Sequence, residues 1–142
     1  MVAPRLDMAF PFPDSPDDVK APAGDNTAAV LSYGGVGDWC HLLAAIHWSY
    51  AGSGTLAGGN LLVQDGSDTV FSQDITSQGA GFAEFNPPKR ISAGGTLTIT
   101  LAAGGSNVTG KVNALHWMMP YNVGSPGLYF NVPFASQYLP LI

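Results

Sequence analysis

Glycine and proline interrupt this chain so often that long helices cannot form along most of it. Its 142 residues include 18 glycines and 11 prolines, too many for a helical bundle, because glycine weakens a helix and proline breaks it. A hydrophobic share of 46%, with 3 Trp, 5 Tyr and 7 Phe, also excludes a disordered chain. This length suits one domain with one core. A β-rich domain with many turns is therefore expected.

Residues 26–117 contain short apolar or alternating stretches between glycine clusters, a pattern typical of all-β domains. In 95–102, apolar residues alternate with three threonines, as a half-buried strand requires. The dipeptide Asp65-Gly66 predicts a hairpin turn. We predict strands at 27–33, 41–50, 60–64, 69–75, 82–85, 95–102, 108–117 and 128–132. Seven or eight strands without a convincing helix predict an antiparallel two-sheet β-sandwich with a jelly-roll-like topology.

The alternation within 41–50 predicts which of its side chains face the core. One parity carries the apolar residues expected to be buried: Leu42, Ala44, Ile46, Trp48 and Tyr50. His41 and His47 share the other parity, which we expect on a half-covered face. Asn86-Pro87-Pro88 should end the strand at 82–85, because neither proline can donate a hydrogen bond to a neighbouring strand.

The two ends of the chain differ from its middle in charge and proline content. Residues 1–25 hold 5 of the 11 prolines and 7 of the 15 charged residues, so we expect an extended arm without packed elements. Residues 118–142 contain four prolines and no charge, and such a tail should wrap its own domain or a neighbour. The predicted organisation is thus an arm (1–25), a sandwich (26–117) and a tail (118–142). The predicted partner-binding residues come from both ends: Phe10, Phe12, Tyr121, Tyr129, Phe130, Phe134, Tyr138 and Leu139.

The charge balance excludes several classes of partner. The net charge is −5, and the only adjacent basic pair is Lys89-Arg90, so no nucleic-acid partner is expected. No stretch approaches 18 consecutive apolar residues, and the N-terminus lacks the pattern of a secretory signal. Cys40 is the only cysteine, which excludes a disulfide framework. We therefore expect a soluble protein made in a cytoplasm, with no membrane partner.

Motifs that carry catalytic chemistry are weak in this sequence. Residues 105–112 resemble a phosphate-binding loop, but Val112 stands where Ser or Thr should contact Mg²⁺. Cys40 and His41 are adjacent, so a strand would point them to opposite faces and prevent a Cys-His dyad. No nucleophile elbow of the Gly-x-Ser-x-Gly kind is present. We predict no enzymatic activity, no catalytic residue, no cofactor and no metal.

Histidine and tryptophan leave two binding alternatives open. His41, His47 and His116 could bind a metal or sense pH if their strands were neighbours. Histidines hydrogen-bonded at a sheet surface or subunit contact are the favoured interpretation. Trp39 follows a glycine loop beside Asp38, and we predict it as a possible exposed platform on which a sugar ring could stack.

Several short motifs within 40–118 resemble those of a known family. They are turn and strand motifs: Trp48-Ser49-Tyr50, Gly58-Gly59, Asp65-Gly66, Asn86-Pro87-Pro88, 97–105 and 109–113. In these motifs the chain resembles the small β-sandwich capsid decoration, or cement, proteins of tailed bacteriophages. The resemblance implies a β-sandwich, commonly a homotrimer, that binds the major capsid protein on the outer face of an assembled head.

The expected function is that of a non-enzymatic virion structural protein on the capsid surface, made in the host cytoplasm. It would stabilise the head by binding neighbouring major capsid subunits. Aromatic anchors and depleted charge are typical of such contacts, and 118–142 has both. One alternative is a carbohydrate-binding or receptor-binding β-sandwich module of a phage spike or tail. Another is a small metal-dependent enzyme that uses the three histidines.

Overall fold

The computed structural model describes residues 18–20 and 25–121. Within these ranges the chain forms eight β-strands and no α-helix. The strands are β1 (Asp18–Lys20), β2 (Ala29–Tyr33), β3 (Trp39–Ala51), β4 (Gly59–Asp65), β5 (Asp68–Ile75), β6 (Gly79–Arg90), β7 (Leu97–Leu101) and β8 (Thr109–Pro120). The predicted strand at 128–132 lies outside the described residues.

The strands form two four-stranded antiparallel sheets, in the orders β1-β8-β3-β6 and β2-β7-β4-β5. Four pairings join strands at mirrored positions in the chain: β4 with β5, β3 with β6, β2 with β7 and β1 with β8. One long hairpin folded over into two sheets gives this order, which is the jelly-roll arrangement. The predicted antiparallel two-sheet sandwich is therefore confirmed.

Alternation along the strands places one apolar row of each sheet in the core. In β7, Leu97, Ile99 and Leu101 are fully buried, whereas the threonines between them are partly exposed. The register partners of Leu101 and Ile99 in β4, Leu61 and Val63, are fully buried as well. Each side chain of this kind contributes about 1.5–3 kcal/mol on full burial. Packing of these rows against the opposite sheet holds the sandwich together.

The predicted hairpin between β4 and β5 is present, but Asp65 pairs with Asp68, so its turn is Gly66-Ser67, one residue later than the predicted Asp65-Gly66. Gly66 has a φ of 62°, a left-handed conformation that glycine adopts without the steric cost of a Cβ atom. The Asp65 carboxylate also accepts hydrogen bonds from the backbone N–H and the hydroxyl of Ser92, at 2.9 and 2.6 Å. These bonds tie the hairpin to the connection between β6 and β7.

A β-bulge in β3 overturns the predicted facing of that strand. The register with both neighbouring strands shifts between Leu43 and Ala45, and such an extra residue reverses which parity faces the core. His41 and Leu43 therefore face the core on one side of the bulge, and Ile46 does so on the other. The prediction that 42–50 keeps one buried parity is correct only from Ile46 onward.

The two prolines after Asn86 do not end the strand, contrary to the prediction. β6 continues to Arg90, and its residues 85–88 lie opposite the single bulged position of β3. The Asn86–Pro87 peptide bond is cis. β6 lies at the edge of its sheet, and edge strands and bulges are where sheets accommodate proline.

The sandwich extends beyond both of its predicted boundaries, 26 and 117. Asp18–Lys20 pairs with β8 opposite Ala114 to Val112, so the expectation of an arm without packed elements is wrong at these three residues. At the other end, β8 extends to Pro120, three residues into the predicted tail. Residues 18–20 of the predicted arm and 118–120 of the predicted tail therefore belong to the β1-β8-β3-β6 sheet.

Candidate interaction surface

The outward face of the β1-β8-β3-β6 sheet is apolar around the bulge in β3. Leu42 is paired with Trp117, and Ala45 is paired with Leu115, so each pair projects from the same side of the sheet. Met119 follows two positions after Trp117 and has the same parity. We refer to Leu42, Leu115, Trp117 and Met119 as the apolar outer face.

Burial along β8 confirms which way these residues point. Val112, Ala114 and His116 are buried in the sandwich, whereas Leu115 before His116 and Trp117 after it are only partly buried. Successive side chains of a strand project to opposite sides. The apolar outer face therefore lies on the side of the sheet that is turned away from the core.

The corresponding face of the β2-β7-β4-β5 sheet is built differently. One outward row pairs Ser32 with Thr98, and the next places Thr100 between Val30 and Leu62. Hydroxyl groups dominate this face, as expected for a sheet surface in contact with water. The two outer faces of the sandwich thus differ in polarity, and the β1-β8-β3-β6 face is the one that favours a partner.

Sequence reasoning missed this surface, although β8 carries a signal for it. From Ala114 to Pro120 the strand has no charged residue, and apolar side chains occur at both parities. Strands that are buried on both faces have this composition, whereas a strand with one face in water alternates. The run predicts a second covered face, and the residues that form it, including Leu115 and Trp117, were not among the predicted partner-binding positions.

Charged side chains lie at the borders of the apolar outer face. Glu84 and Arg90 are on the edge strand β6, beside Ala45 and Leu42 in the register, and Lys111 lies near the start of β8. The Arg90 guanidinium carbon is 5.2 Å from the centroid of the Tyr121 ring, within the range of a cation–π contact. An apolar centre with a charged rim is the usual organisation of a protein–protein contact.

Tyr121 is the predicted partner-binding residue whose position the structure describes. It follows the end of β8, is 38% exposed, and its backbone N–H donates to the Asp38 carbonyl oxygen at 2.7 Å. Together with the contact to Arg90, this bond fixes Tyr121 at the end of β8. The other predicted partner-binding residues lie outside the described residues: Phe10, Phe12, Tyr129, Phe130, Phe134, Tyr138 and Leu139.

Cys40 is the register partner of Met119 and is only 1% exposed, and its Sγ contacts the Met119 carbonyl oxygen at 3.7 Å. Burial raises the pKa of its thiol above the ordinary value, and the nearby Arg90 lowers it to a smaller extent. A raised pKa disfavours the reactive thiolate. Because His41 faces the core, the two side chains occupy opposite sides of the sheet, as their adjacency predicts.

Two of the three histidines meet inside the sandwich. β3 and β8 are neighbours, and the rings of His41 and His116 have centroids 5.2 Å apart. Tyr33 lies against His116, with ring centroids 3.8 Å apart. His41 and His116 are only 3% and 1% exposed. His41 Nε2 is 2.9 Å from the Gly34 carbonyl oxygen, which ties this cluster to the loop between β2 and β3.

The bulge separates the third histidine from the other two. His47 is exposed on the outward face, where its ring makes an edge contact with Phe82 at a centroid distance of 4.7 Å. The expectation that His41 and His47 share one face is therefore wrong. Among residues 18–20 and 25–121, no group of three or more His, Cys, Asp or Glu side chains is placed to hold a metal ion.

Trp39, the predicted ligand platform, is 42% exposed at the start of β3. Its backbone N–H donates to the Val36 carbonyl oxygen, and its backbone carbonyl oxygen accepts from the N–H of Gly94, both at 2.8 Å. Val36 is itself exposed. An open cleft lined by Arg90, Ile91, Ser92, Ala93 and Tyr121 lies at this end of the sandwich. The backbone of the platform is thus fixed, while its indole ring stays accessible.

The described part of the chain contains no helix long and apolar enough to cross a membrane. Comparison with models of known protein families found no match, and neither curated proteins nor solved structures gave one. The apolar outer face, its charged border and the exposed Trp39 end are therefore the features from which a function is inferred.

Proposed function

We propose that the protein is a non-enzymatic structural protein of a bacteriophage virion. In this proposal it decorates the capsid surface as a homotrimer and stabilises the head by binding neighbouring major capsid subunits. The apolar outer face is the observation that carries the proposal. It is a surface suited to a permanent contact with another subunit, and the opposite face of the same sandwich offers a polar comparison.

The side chains of this face have the properties of interface anchors. Trp117 is an aromatic residue surrounded by Leu42, Leu115 and Met119, and charged groups stand at the border. Tryptophan near the centre of an apolar patch is a frequent source of binding energy. These side chains are already partly buried, so covering each of them contributes less than the about 1.5–3 kcal/mol gained on burying a fully exposed one. Several of them together stabilise an assembly.

The jelly-roll fold is compatible with this function but does not select it. Jelly rolls occur in viral capsid proteins, in lectins and in cupins, and one fold supports many functions. The phage assignment rests on the resemblance of the turn and strand motifs within 40–118. The assembly function rests on the surface, so the two parts of the proposal can be tested separately.

Co-sedimentation with assembled heads tests the proposal. Heads of the phage that encodes the protein, prepared without it, should bind the full-length chain saturably, at a fixed ratio to the major capsid protein. Trp117→Ser should weaken this binding at least tenfold, because it removes an anchor of the contact between copies and with it the several head-binding sites that a trimer presents together. Val30→Ser, on the outward face of the other sheet, is the matched control and should bind as the unmodified protein does. No saturable binding, or equal loss in both variants, would contradict the proposal.

The exposure of Trp39 favours a second candidate function, a carbohydrate-binding module of a phage spike or tail. An accessible indole on a fixed backbone can stack on a sugar ring. In this case the protein should bind particular glycans on an array, and Trp39→Ala should abolish that binding without affecting Trp117-dependent contacts. Binding to heads together with no glycan signal would reject this candidate.

A further inference from the structure

We propose that the C-terminal segment 122–142 of a neighbouring copy packs on the apolar outer face. This inference rests on the self-association included in the proposed function, and it names the segment that makes the contact. It therefore concerns the contact between copies of this chain, and it does not depend on binding to the capsid.

The composition of the segment matches the composition of the surface. Residues 122–142 contain no Asp, Glu, Lys or Arg, and their aromatic residues are Tyr129, Phe130, Phe134 and Tyr138. An uncharged segment can cover Leu115 and Trp117 without burying an unpaired charge, which would be costly. The polar outward face of the other sheet offers no comparable gain in apolar burial.

The last described residue, Tyr121, lies at the border of the apolar outer face. Tyr121 is bound through its backbone to Asp38, and its ring lies against Arg90. Arg90 is the register partner of Leu42 on the outward side. Tyr121 thus lies at the border of the apolar outer face, so the segment begins at the rim where two adjacent copies would meet.

The length of the segment also favours a neighbour. Its 21 residues can span about 70 Å when extended. Leu115 and Met119 are only four positions apart, or about 13 Å along a strand. Prolines at 126, 133 and 140 favour extended backbone before and at each site. Such a segment reaches far beyond its own patch and is long enough to lie across the sheet of another subunit.

A contact between the tail of one copy and the sheet face of the next is heterologous. Repeated contacts of this type close into a ring when the rotation between copies permits it. In a ring of three copies, the segment 122–142 of each copy covers the apolar outer face of the next copy, so that all three faces are covered by one kind of contact. The proposed homotrimer is a ring that this single repeated contact can build.

Photo-crosslinking in the full-length protein tests the inference without capsids. Leu115→p-benzoylphenylalanine should, on irradiation, give products of twice and three times the chain mass on a denaturing gel. Peptide mapping should place the crosslink within 122–142. Val30→p-benzoylphenylalanine is the matched control on the other sheet and should give no such product. A crosslink to 122–142 within one chain, a crosslink to another region, or no crosslink would overturn the inference.

The same experiment separates this inference from the proposed function. If heads bind the protein but position 115 does not crosslink to a neighbour's tail, the tail contact is wrong and the decoration function stands. If the crosslink forms but heads do not bind, the tail contact stands and the function is wrong.

Discussion

Replacing Gly81 with alanine should unfold the sandwich at a clearly lower temperature. Gly81 in β6 is the register partner of Trp48 in β3, and the indole ring of Trp48 lies over the glycine. A Cβ atom at position 81 would be 2.1, 2.2 and 2.4 Å from three atoms of that ring. Ordinary carbon–carbon contacts are about 3.5–4.0 Å, so the ring must move by more than 1 Å.

The expected cost follows from the packing around the ring. Trp48 belongs to the hydrophobic core, and overpacking a core of this kind costs about 1–3 kcal/mol. For a domain near 100 residues, each kcal/mol lowers the Tm by about 4–8 °C. Gly81→Ala should therefore reduce the Tm by roughly 5–20 °C, measured by circular dichroism together with tryptophan fluorescence.

Gly34→Ala is the matched control for this substitution. A Cβ atom at Gly34 would have no neighbour within 4 Å, so the change should alter the free energy of unfolding by less than about 0.5 kcal/mol. Adding Trp48→Leu to Gly81→Ala should remove the clash, and the double variant should be more stable than the sum of the single effects predicts. Equal Tm values for Gly81→Ala and the unmodified protein would refute the packing described for this pair.

Three further predictions follow from the core, the hairpin and the buried tyrosine. Leu101→Ala should lower the free energy of unfolding by about 2–5 kcal/mol, measured by urea denaturation; a loss under 1 kcal/mol would contradict its full burial. Asp65→Ala should cost about 0.5–1.5 kcal/mol, because Ser92 loses both hydrogen bonds to the carboxylate at an exposed site, whereas Asp65→Asn should recover part of this loss. Burial raises the pKa values of Tyr50 and Cys40 above their ordinary 10.0 and 9.0, so the folded state holds these protons more tightly than the unfolded state. The contribution of these protons to the free energy of unfolding is complete below the ordinary pKa values and is lost as the pH rises through the pKa values of the folded state. Tyr50→Phe should therefore flatten the decline of the urea midpoint above pH 10. An unchanged slope would contradict this prediction.

The features of the fold that depend on local sequence could be predicted. Alternation in 95–102 and the Asp65-Gly66 dipeptide identified a strand and a hairpin, because side-chain parity and turn geometry are set by neighbouring residues. The number of strands then indicated a sandwich. The order of those strands is a property of the whole chain, and the sequence only suggested it through the jelly-roll expectation.

The features that depend on distant contacts could not be predicted in the same way. No residue between Leu43 and Ala45 marks a bulge, so the facing of His41 was assigned to the wrong side. Pro87 and Pro88 were expected to end a strand, but they lie opposite the bulge in an edge strand, where their missing N–H groups remove little pairing. The facing of His41 and the effect of the two prolines therefore depend on how β3 pairs with its neighbouring strands.

The candidate surface depends partly on local sequence and partly on distant contacts. Leu115, Trp117 and Met119 are visible in the sequence as an apolar run with both parities occupied, a local signal that predicts two covered faces. Which of the two faces is turned away from the core depends on the pairing of β8 with β3. Tyr121 was predicted as a contact residue, and its bond to Asp38 and its contact with Arg90 depend equally on that pairing.

The mass of the protein in solution tests the central claim, that copies of this chain associate through the apolar outer face. Light scattering coupled to size-exclusion chromatography should give three times the chain mass of 14.7 kDa for the full-length protein. Trp117→Ser should shift the mass toward the monomer while the circular dichroism spectrum stays unchanged, and Val30→Ser should keep the trimer mass. A monomeric full-length protein across the accessible concentrations, or a trimer that Trp117→Ser leaves intact, would contradict the claim.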